Sequence, residues 1–134
     1  MTVQHFLTID DLVRAHRSVE PTEVVINAAV LEAAVASQHA GFGEHEQFPD
    51  LAAKAAAVAR GVAHGHPFSE GNKRTALLAV HLLARINGHA FVAGQSEAFH
   101  LITDLATSQI DVEQAAEPPP SHLGVIEARS CCMT

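Results

Sequence analysis

The chain has 134 residues, which is enough for one domain with a hydrophobic core and too few for two. Its hydrophobic fraction of 48% excludes disorder over most of the length, and its formal net charge of −7 at pH 7 excludes a broad nucleic-acid-binding surface, which needs many cations. Because the sequence has no long apolar run and no basic stretch followed by an apolar one at its start, we expect a cytoplasmic protein without membrane or direct nucleic-acid contacts.

Two helices are predicted in the N-terminal part of the chain. The first begins after Thr8 and runs to about Arg17, because the Thr8 hydroxyl can accept a hydrogen bond from a free backbone N–H and acidic residues follow in the first turn. The second covers about residues 27–37, where apolar residues recur at helical spacing and Asn27 is a suitable cap.

The next segment is rich in Gly and broken by Pro, since it reads HAGFGEHEQFP over residues 39–49. Such a composition predicts a loop or a short hairpin. A third helix is expected to start at Pro49-Asp50 and to end at Gly65. A fourth and central helix is expected from about residue 71 to residue 86, with Asn87-Gly88 as its stop signal.

The C-terminal part predicts two shorter helices, over residues 96–107 and 110–117. Pro118-Pro119-Pro120 then ends regular structure, because proline has no backbone N–H to donate. We therefore predict one domain over residues 1–117, followed by a flexible C-terminal tail over residues 118–134.

The run HPFSEGNKRT, residues 66–75, joins the end of the third helix to the start of the fourth. The first N–H groups of a helix have no intrahelical partner, and together with the positive end of the helix dipole they form an anion site. Gly71 has no side chain to block a phosphate oxygen, and Lys73 and Arg74 add positive charge within one turn. The run therefore predicts a phosphate-binding pocket.

Side chains suited to phosphate-transfer chemistry stand next to that pocket in the sequence. Glu70 offers a hard carboxylate oxygen, and Mg²⁺ usually takes one or two carboxylates together with substrate phosphates. His66 has an imidazole with an ordinary pKa of about 6.5, which lets it accept a proton from an attacking hydroxyl at neutral pH. Phe68 is a lone aromatic residue in a polar loop, so we expect it to be buried and to anchor the loop.

The run HPFSEGNKRTAL also resembles the signature motif of the Fic/Doc superfamily. The likeness begins at FLTIDDL, continues through VLEAAVA and FPDLAAKAAAVARGVAHGHPF, and reaches INGHAF after the fourth helix. It implies an all-α fold, a Fic/Doc-like helical bundle with a short β-hairpin flap.

The resemblance also implies a role for each matching residue. His66 would be the catalytic base, Glu70 the Mg²⁺ ligand, Gly71 and Asn72 part of the phosphate-binding loop, and Arg74 a phosphate contact. The cofactors implied are ATP and Mg²⁺.

The flap of such proteins holds the target segment in an extended form, which is a familiar recognition mode. In this chain it corresponds to the loop around residues 41–48, with Gly41, Phe42 and Gly43 as its target-binding residues.

Two positions separate the branches of the superfamily. Members that transfer AMP carry Gly where this chain has Lys73 and a second Arg where it has Leu77. A lysine would fill space that a β-phosphate needs, and loss of the arginine removes a bidentate phosphate contact. The text NKRTAL is instead similar to the death-on-curing toxins, Doc-like proteins that phosphorylate bacterial elongation factor Tu from ATP.

We therefore expect a bacterial toxin of a toxin–antitoxin pair. As an ATP-dependent protein kinase it would transfer phosphate to a hydroxyl of a translation factor and so inhibit translation. A separate antitoxin would be its second partner.

Two alternatives stay open. One is a Fic-type AMP transferase, which would carry out AMPylation of a protein hydroxyl with the same His66 base. The other is a catalytically inactive binding module, because Doc-like toxins often have an Arg-Asp pair where this chain reads Ile26-Asn27.

Overall fold

A computed structural model of the chain describes residues 5–21, 25, 27–39, 41–42, 45–46, 51–91, 95–115 and 126–128. The helices within these ranges are α1 (Ile9–Val19), α2 (Ala28–Ala36), α3 (Leu51–Gly65), α4 (Asn72–Ile86), α5 (Gln95–Ala106) and α6 (Val112–Ala115), and a short 3-10 turn covers Ser37–His39. The strands are β1 (Gly41–Phe42), β2 (His45–Glu46), β3 (His89–Phe91) and β4 (Ile126–Ala128). This arrangement confirms the predicted all-α bundle with a short hairpin.

Helix α1 begins where the sequence predicts, because Thr8 and Asp11 form a reciprocal capping box. The Thr8 hydroxyl accepts from the Asp11 backbone N–H at 3.1 Å, and the Asp11 carboxylate accepts from the Thr8 N–H at 2.9 Å. The helix buries Leu12 and His16 on one face. Among the described helices, none is both long and apolar enough to cross a bilayer.

Helix α2 is capped by Asn27, as predicted, since its side-chain oxygen accepts from the Val30 N–H at 3.2 Å. The Asn27 N–H donates to the Pro67 carbonyl at 3.2 Å. The same asparagine therefore starts α2 and ties it to the loop that follows α3.

Helix α3 lies at the centre of the bundle and packs against α2, α4 and α5, so the prediction that the fourth helix is central was wrong. Its buried residues are mostly alanine and valine, which lets neighbouring helices approach closely. The α3 backbone comes close to the α2 backbone at Gly61, where an added Cβ would lie 2.7 Å from the Ala34 Cβ and 2.9 Å from the Ala34 Cα.

Replacing Gly61 with alanine is therefore expected to lower the free energy of unfolding by about 1–2 kcal/mol. The overlap with the α2 backbone, which costs about 1–3 kcal/mol, outweighs the gain of up to about 1 kcal/mol that alanine brings to a helix interior. Urea unfolding followed by circular dichroism measures the loss. Gly65→Ala is the comparison: its new Cβ would lie 2.4 Å from a Val30 methyl but meets no backbone atom of α2, so a change of the Val30 rotamer can relieve the overlap and a smaller loss is expected. A Gly61→Ala protein as stable as the parent would contradict the close approach.

The start of the hairpin is held by a buried polar network. The Gln38 side chain accepts from the Leu7 N–H at 2.8 Å and donates to the Leu7 carbonyl at 3.0 Å. The ammonium of Lys54, on α3, donates to the Gln38 carbonyl at 3.2 Å. Burial makes these bonds important, because an unpaired polar group there would be costly. The network fixes the chain just before β1.

Strands β1 and β2 pair antiparallel, with Gly41 opposite Glu46 and Phe42 opposite His45. This pair is the hairpin that the sequence predicts. Gly43, the third residue predicted to bind the target, lies outside the described residues, and the role of the hairpin in target binding stays a prediction.

Strand β4 pairs antiparallel with β3, with His89 opposite Ala128 and Phe91 opposite Ile126. It lies within the segment predicted to be a flexible tail. The sequence pattern does not indicate this strand, because three residues are too few for a periodicity. The domain boundary after residue 117 stays a prediction.

Candidate active site

The loop between α3 and α4 begins at His66, whose backbone is in the left-handed region with φ of 54°. Its N–H donates to the Val62 carbonyl at 3.1 Å and closes the last turn of α3. A residue other than glycine pays about 1–3 kcal/mol for such a conformation, and residues of this kind cluster at functional sites. The His66 side chain is exposed.

Phe68 fixes the middle of the loop. Its side chain is 0% exposed, and its backbone forms a β-bridge with Val25. The ring lies flat on the imidazole of His16, with ring centroids 3.9 Å apart and planes 6° from parallel. These contacts tie the loop to the hydrophobic core and to α1.

Asn72 joins the start of α4 to the same loop. Its side-chain oxygen accepts from the Phe68 N–H at 3.1 Å, and its Nδ2 donates to the Phe68 carbonyl at 3.0 Å. The backbone of Phe68 thereby fixes which end of the amide is the donor. Nδ2 also lies 3.3 Å from Nδ1 of His66, at the outer edge of the hydrogen-bonding range. The Asn72 side chain thus holds the loop, and its backbone N–H is the group left for a phosphate.

The start of α4 has no side-chain cap within the described part of the chain. Gly71 is the N-cap, with φ of 74°. Thr75 is the first residue whose N–H is bonded within the helix, to the Gly71 carbonyl at 3.0 Å. The N–H groups of the preceding turn therefore have no intrahelical partner. Glycine is needed at this position because the positive φ strains any other residue.

A cavity of about 530 Å³ opens at this helix start, a volume within the usual range for small-molecule sites. The structure brings together in it the residues singled out by the sequence, His66, Glu70, Gly71, Asn72, Lys73 and Arg74.

The cavity also contains residues that sequence reasoning missed. Val19 and Glu20 come from the end of α1, Ser69 from the loop and Phe99 from α5. No local pattern marks Val19, Glu20 or Phe99, because only helix packing brings them to the site. Phe99 is 53% exposed, and the Nζ of Lys73 lies 5.9 Å from its ring centroid, within range of a cation–π interaction.

The charges in the cavity are suited to a metal–phosphate ligand. Glu70, Lys73 and Arg74 all line the cavity, so opposite charges lie around one helix start. The Glu70 and Arg74 side chains are exposed, and Lys73 is half-buried. Among the described residues, no group of three or more His, Cys, Asp or Glu could hold a metal ion alone. Glu70 and Glu20 are the carboxylates among the residues that line the cavity, and Mg²⁺ usually takes one or two carboxylates together with phosphate oxygens and water.

A family model described as the Fic/DOC family matches residues 1–84 of the chain. The chain is also 35% identical over 89 residues to a curated protein named Toxin Doc, from Mycolicibacterium smegmatis. The matched segment covers 65% of this chain and 68% of that protein. No solved structure matches the chain at a significant level.

Proposed function

This chain belongs to the Fic/DOC family, and from that premise we propose that it is a Doc-like toxin that transfers phosphate from ATP to a hydroxyl of a protein. The observation that carries the proposal is the single cavity shared by an exposed imidazole, a carboxylate and an uncapped helix start. The similarity to a protein named Toxin Doc supports the toxin branch of the family.

The start of α4 binds the phosphates in this proposal. The free N–H groups of its first turn donate to phosphate oxygens, as at other helix N-termini. Arg74, on the exposed side, adds a fork of donors that matches phosphate geometry. Together they place the phosphate to be transferred beside the loop.

Glu70 is the proposed Mg²⁺ ligand, since its exposed carboxylate lines the cavity immediately before the helix start. When bound, Mg²⁺ supplies positive charge that stabilises the phosphate groups during transfer.

His66 is the proposed general base. Its exposed ring lines the cavity, and a neutral imidazole has one unprotonated nitrogen that can accept the proton of the target hydroxyl. The Asn72 Nδ2, a donor 3.3 Å from Nδ1, favours the tautomer with Nδ1 unprotonated. A base acting through Nε2 therefore requires the ring to turn away from Asn72.

Two side chains support transfer of the γ-phosphate over transfer of AMP. Lys73 is half-buried at the helix start, and in this proposal its side chain takes the space that a β-phosphate would need if the α-phosphate were attacked. Leu77, one turn further along α4, cannot provide the second phosphate contact that an arginine there would supply.

We propose a translation factor similar to elongation factor Tu as the target, with inhibition of translation as the result, and a separate antitoxin as the regulator. The antiparallel pair of β1 and β2 supports recognition of an extended target segment by backbone pairing.

The test of the transferred group uses ATP that carries a radioactive label on either the α or the γ phosphate. Each is incubated with the purified protein, Mg²⁺ and a bacterial lysate, and label on protein is measured after electrophoresis. We expect label on protein only from γ-labelled ATP. Label only from α-labelled ATP would establish AMP transfer instead, because the γ-phosphate then leaves in pyrophosphate. Label from neither form, with the cavity residues intact, would favour a binding module. Lysate without the added protein is the control for endogenous kinases.

A further inference from the structure

His16 is a buried histidine outside the motif, and its ring contacts the loop of the candidate site at two points. It lies on α1, 54 residues before Glu70, and is 0% exposed. Its Nε2 is 2.6 Å from the Glu70 carbonyl oxygen, and its ring is stacked on Phe68. Because a carbonyl oxygen can only accept, Nε2 carries the proton and donates it.

The Glu70 carbonyl belongs to the same peptide group as the Gly71 N–H. A peptide group is planar and trans, so its C=O and N–H point in opposite directions. A carbonyl held toward the buried His16 therefore directs the Gly71 N–H away from the core and toward the exposed side of the loop. Gly71 lines the cavity on that side.

Glycine makes this peptide group easy to rotate. Gly71 is in the left-handed region and has no Cβ to resist rotation of the preceding peptide. A rotated peptide would present its carbonyl oxygen to the phosphates in place of its N–H, which is repulsive. Some other contact must therefore select the orientation, and the bond from His16 is placed to do so.

We propose that His16 is a positioning residue for the nucleotide site: by donating to the Glu70 carbonyl, it holds the Glu70–Gly71 peptide so that the Gly71 N–H faces the phosphates. The inference rests on the proposed function, since it names how the phosphate pocket is oriented. It gives α1, which carries no part of the signature motif, a role in anion binding that acts through the Glu70–Gly71 peptide.

Three substitutions separate the hydrogen bond from the stacking. His16→Phe keeps a ring on Phe68 and loses the donor. His16→Gln places an amide N–H close to where Nε2 stood and loses the ring. His16→Asn also has an amide, but it reaches only as far as Nδ1 and cannot make the bond. The Gln and Asn variants are therefore matched in chemistry and differ in reach.

The probe is inorganic tripolyphosphate without metal, titrated into each folded variant by calorimetry, with the Gly71 amide followed by NMR. We expect the Kd to rise about 10- to 100-fold in the Phe and Asn variants, as for the loss of one amide hydrogen bond to a charged group. The Gln variant is expected to bind nearly as the parent does. The Gly71 amide resonance should shift on binding in the parent and the Gln variant only.

Unchanged binding in His16→Asn, or equal weakening in His16→Gln and His16→Asn, would overturn the inference, because the bond would then not be the cause. The Gln and Asn pair decides the question even if His16→Phe does not fold. A parent protein that binds neither tripolyphosphate nor ATP would refute the proposed function itself, which is a different result.

Discussion

Replacing His66 with alanine is expected to reduce phosphate transfer to protein by about 100- to 10,000-fold, the range for loss of a general base. His66 is the imidazole that lines the cavity, and its side chain is exposed there. The loss should fall on kcat with little change in the KM for ATP, because the phosphate-binding N–H groups belong to α4 and remain in place. Single-turnover rates with γ-labelled ATP measure the effect.

His64→Ala is the matched control, since it removes an imidazole two positions earlier on the same helix end. The His64 Nδ1 lies 2.8 Å from the Ala106 carbonyl oxygen, and the side chain does not line the cavity at the start of α4. We expect near-parental transfer rates and growth inhibition from this variant. If His66→Ala inhibited growth as strongly as the parent, chemistry at this residue would be unnecessary and the binding-module alternative would be favoured.

Replacing Phe68 with alanine is expected to lower the free energy of unfolding by about 3–5 kcal/mol, as for other fully buried aromatic residues. The total free energy of unfolding of a small domain is only about 5–15 kcal/mol, so a substantial fraction of the variant is expected to be unfolded at the growth temperature of the bacterial host. The ring is 0% exposed and stacked on His16, so its removal leaves a cavity between α1 and the loop. Urea unfolding at equilibrium gives the midpoint and slope.

Phe99→Ala is the control for this prediction, because it makes the same substitution at a ring that is 53% exposed. Its effect on stability is expected to stay within about 0.5 kcal/mol, which is usual for surface positions. Equal losses from the two variants would mean that Phe68 does not anchor the loop.

Elements whose ends are marked by local chemistry are predictable from this sequence. Thr8 and Asn27 supply side-chain caps, and Gly88 ends α4 with φ of 77°. Each of these signals acts within a few residues, which is why helix bounds agree closely with the pattern. The motif places His66 and Gly71 on either side of one loop for the same reason.

Features that depend on contacts between distant segments are not predictable in this way. The helical pattern places His16 on the apolar face of α1, and no nearby residue predicts its hydrogen bond to the Glu70 carbonyl. Phe99 reaches the cavity only through the packing of α5. Strand β4 exists through its pairing with β3, 35 or more positions earlier in the chain.

The left-handed backbone at His66 lowers the stability of the fold at the residue that we propose as the general base. Glycine would occupy that conformation without strain, so the chain gives up about 1 kcal/mol or more to keep an imidazole there. Selection for folding alone would favour glycine at this position, so related proteins that no longer act as toxins are expected to carry glycine there. A related protein that retains histidine at this position is accordingly expected to have kept its activity, which a comparison of genome sequences can test.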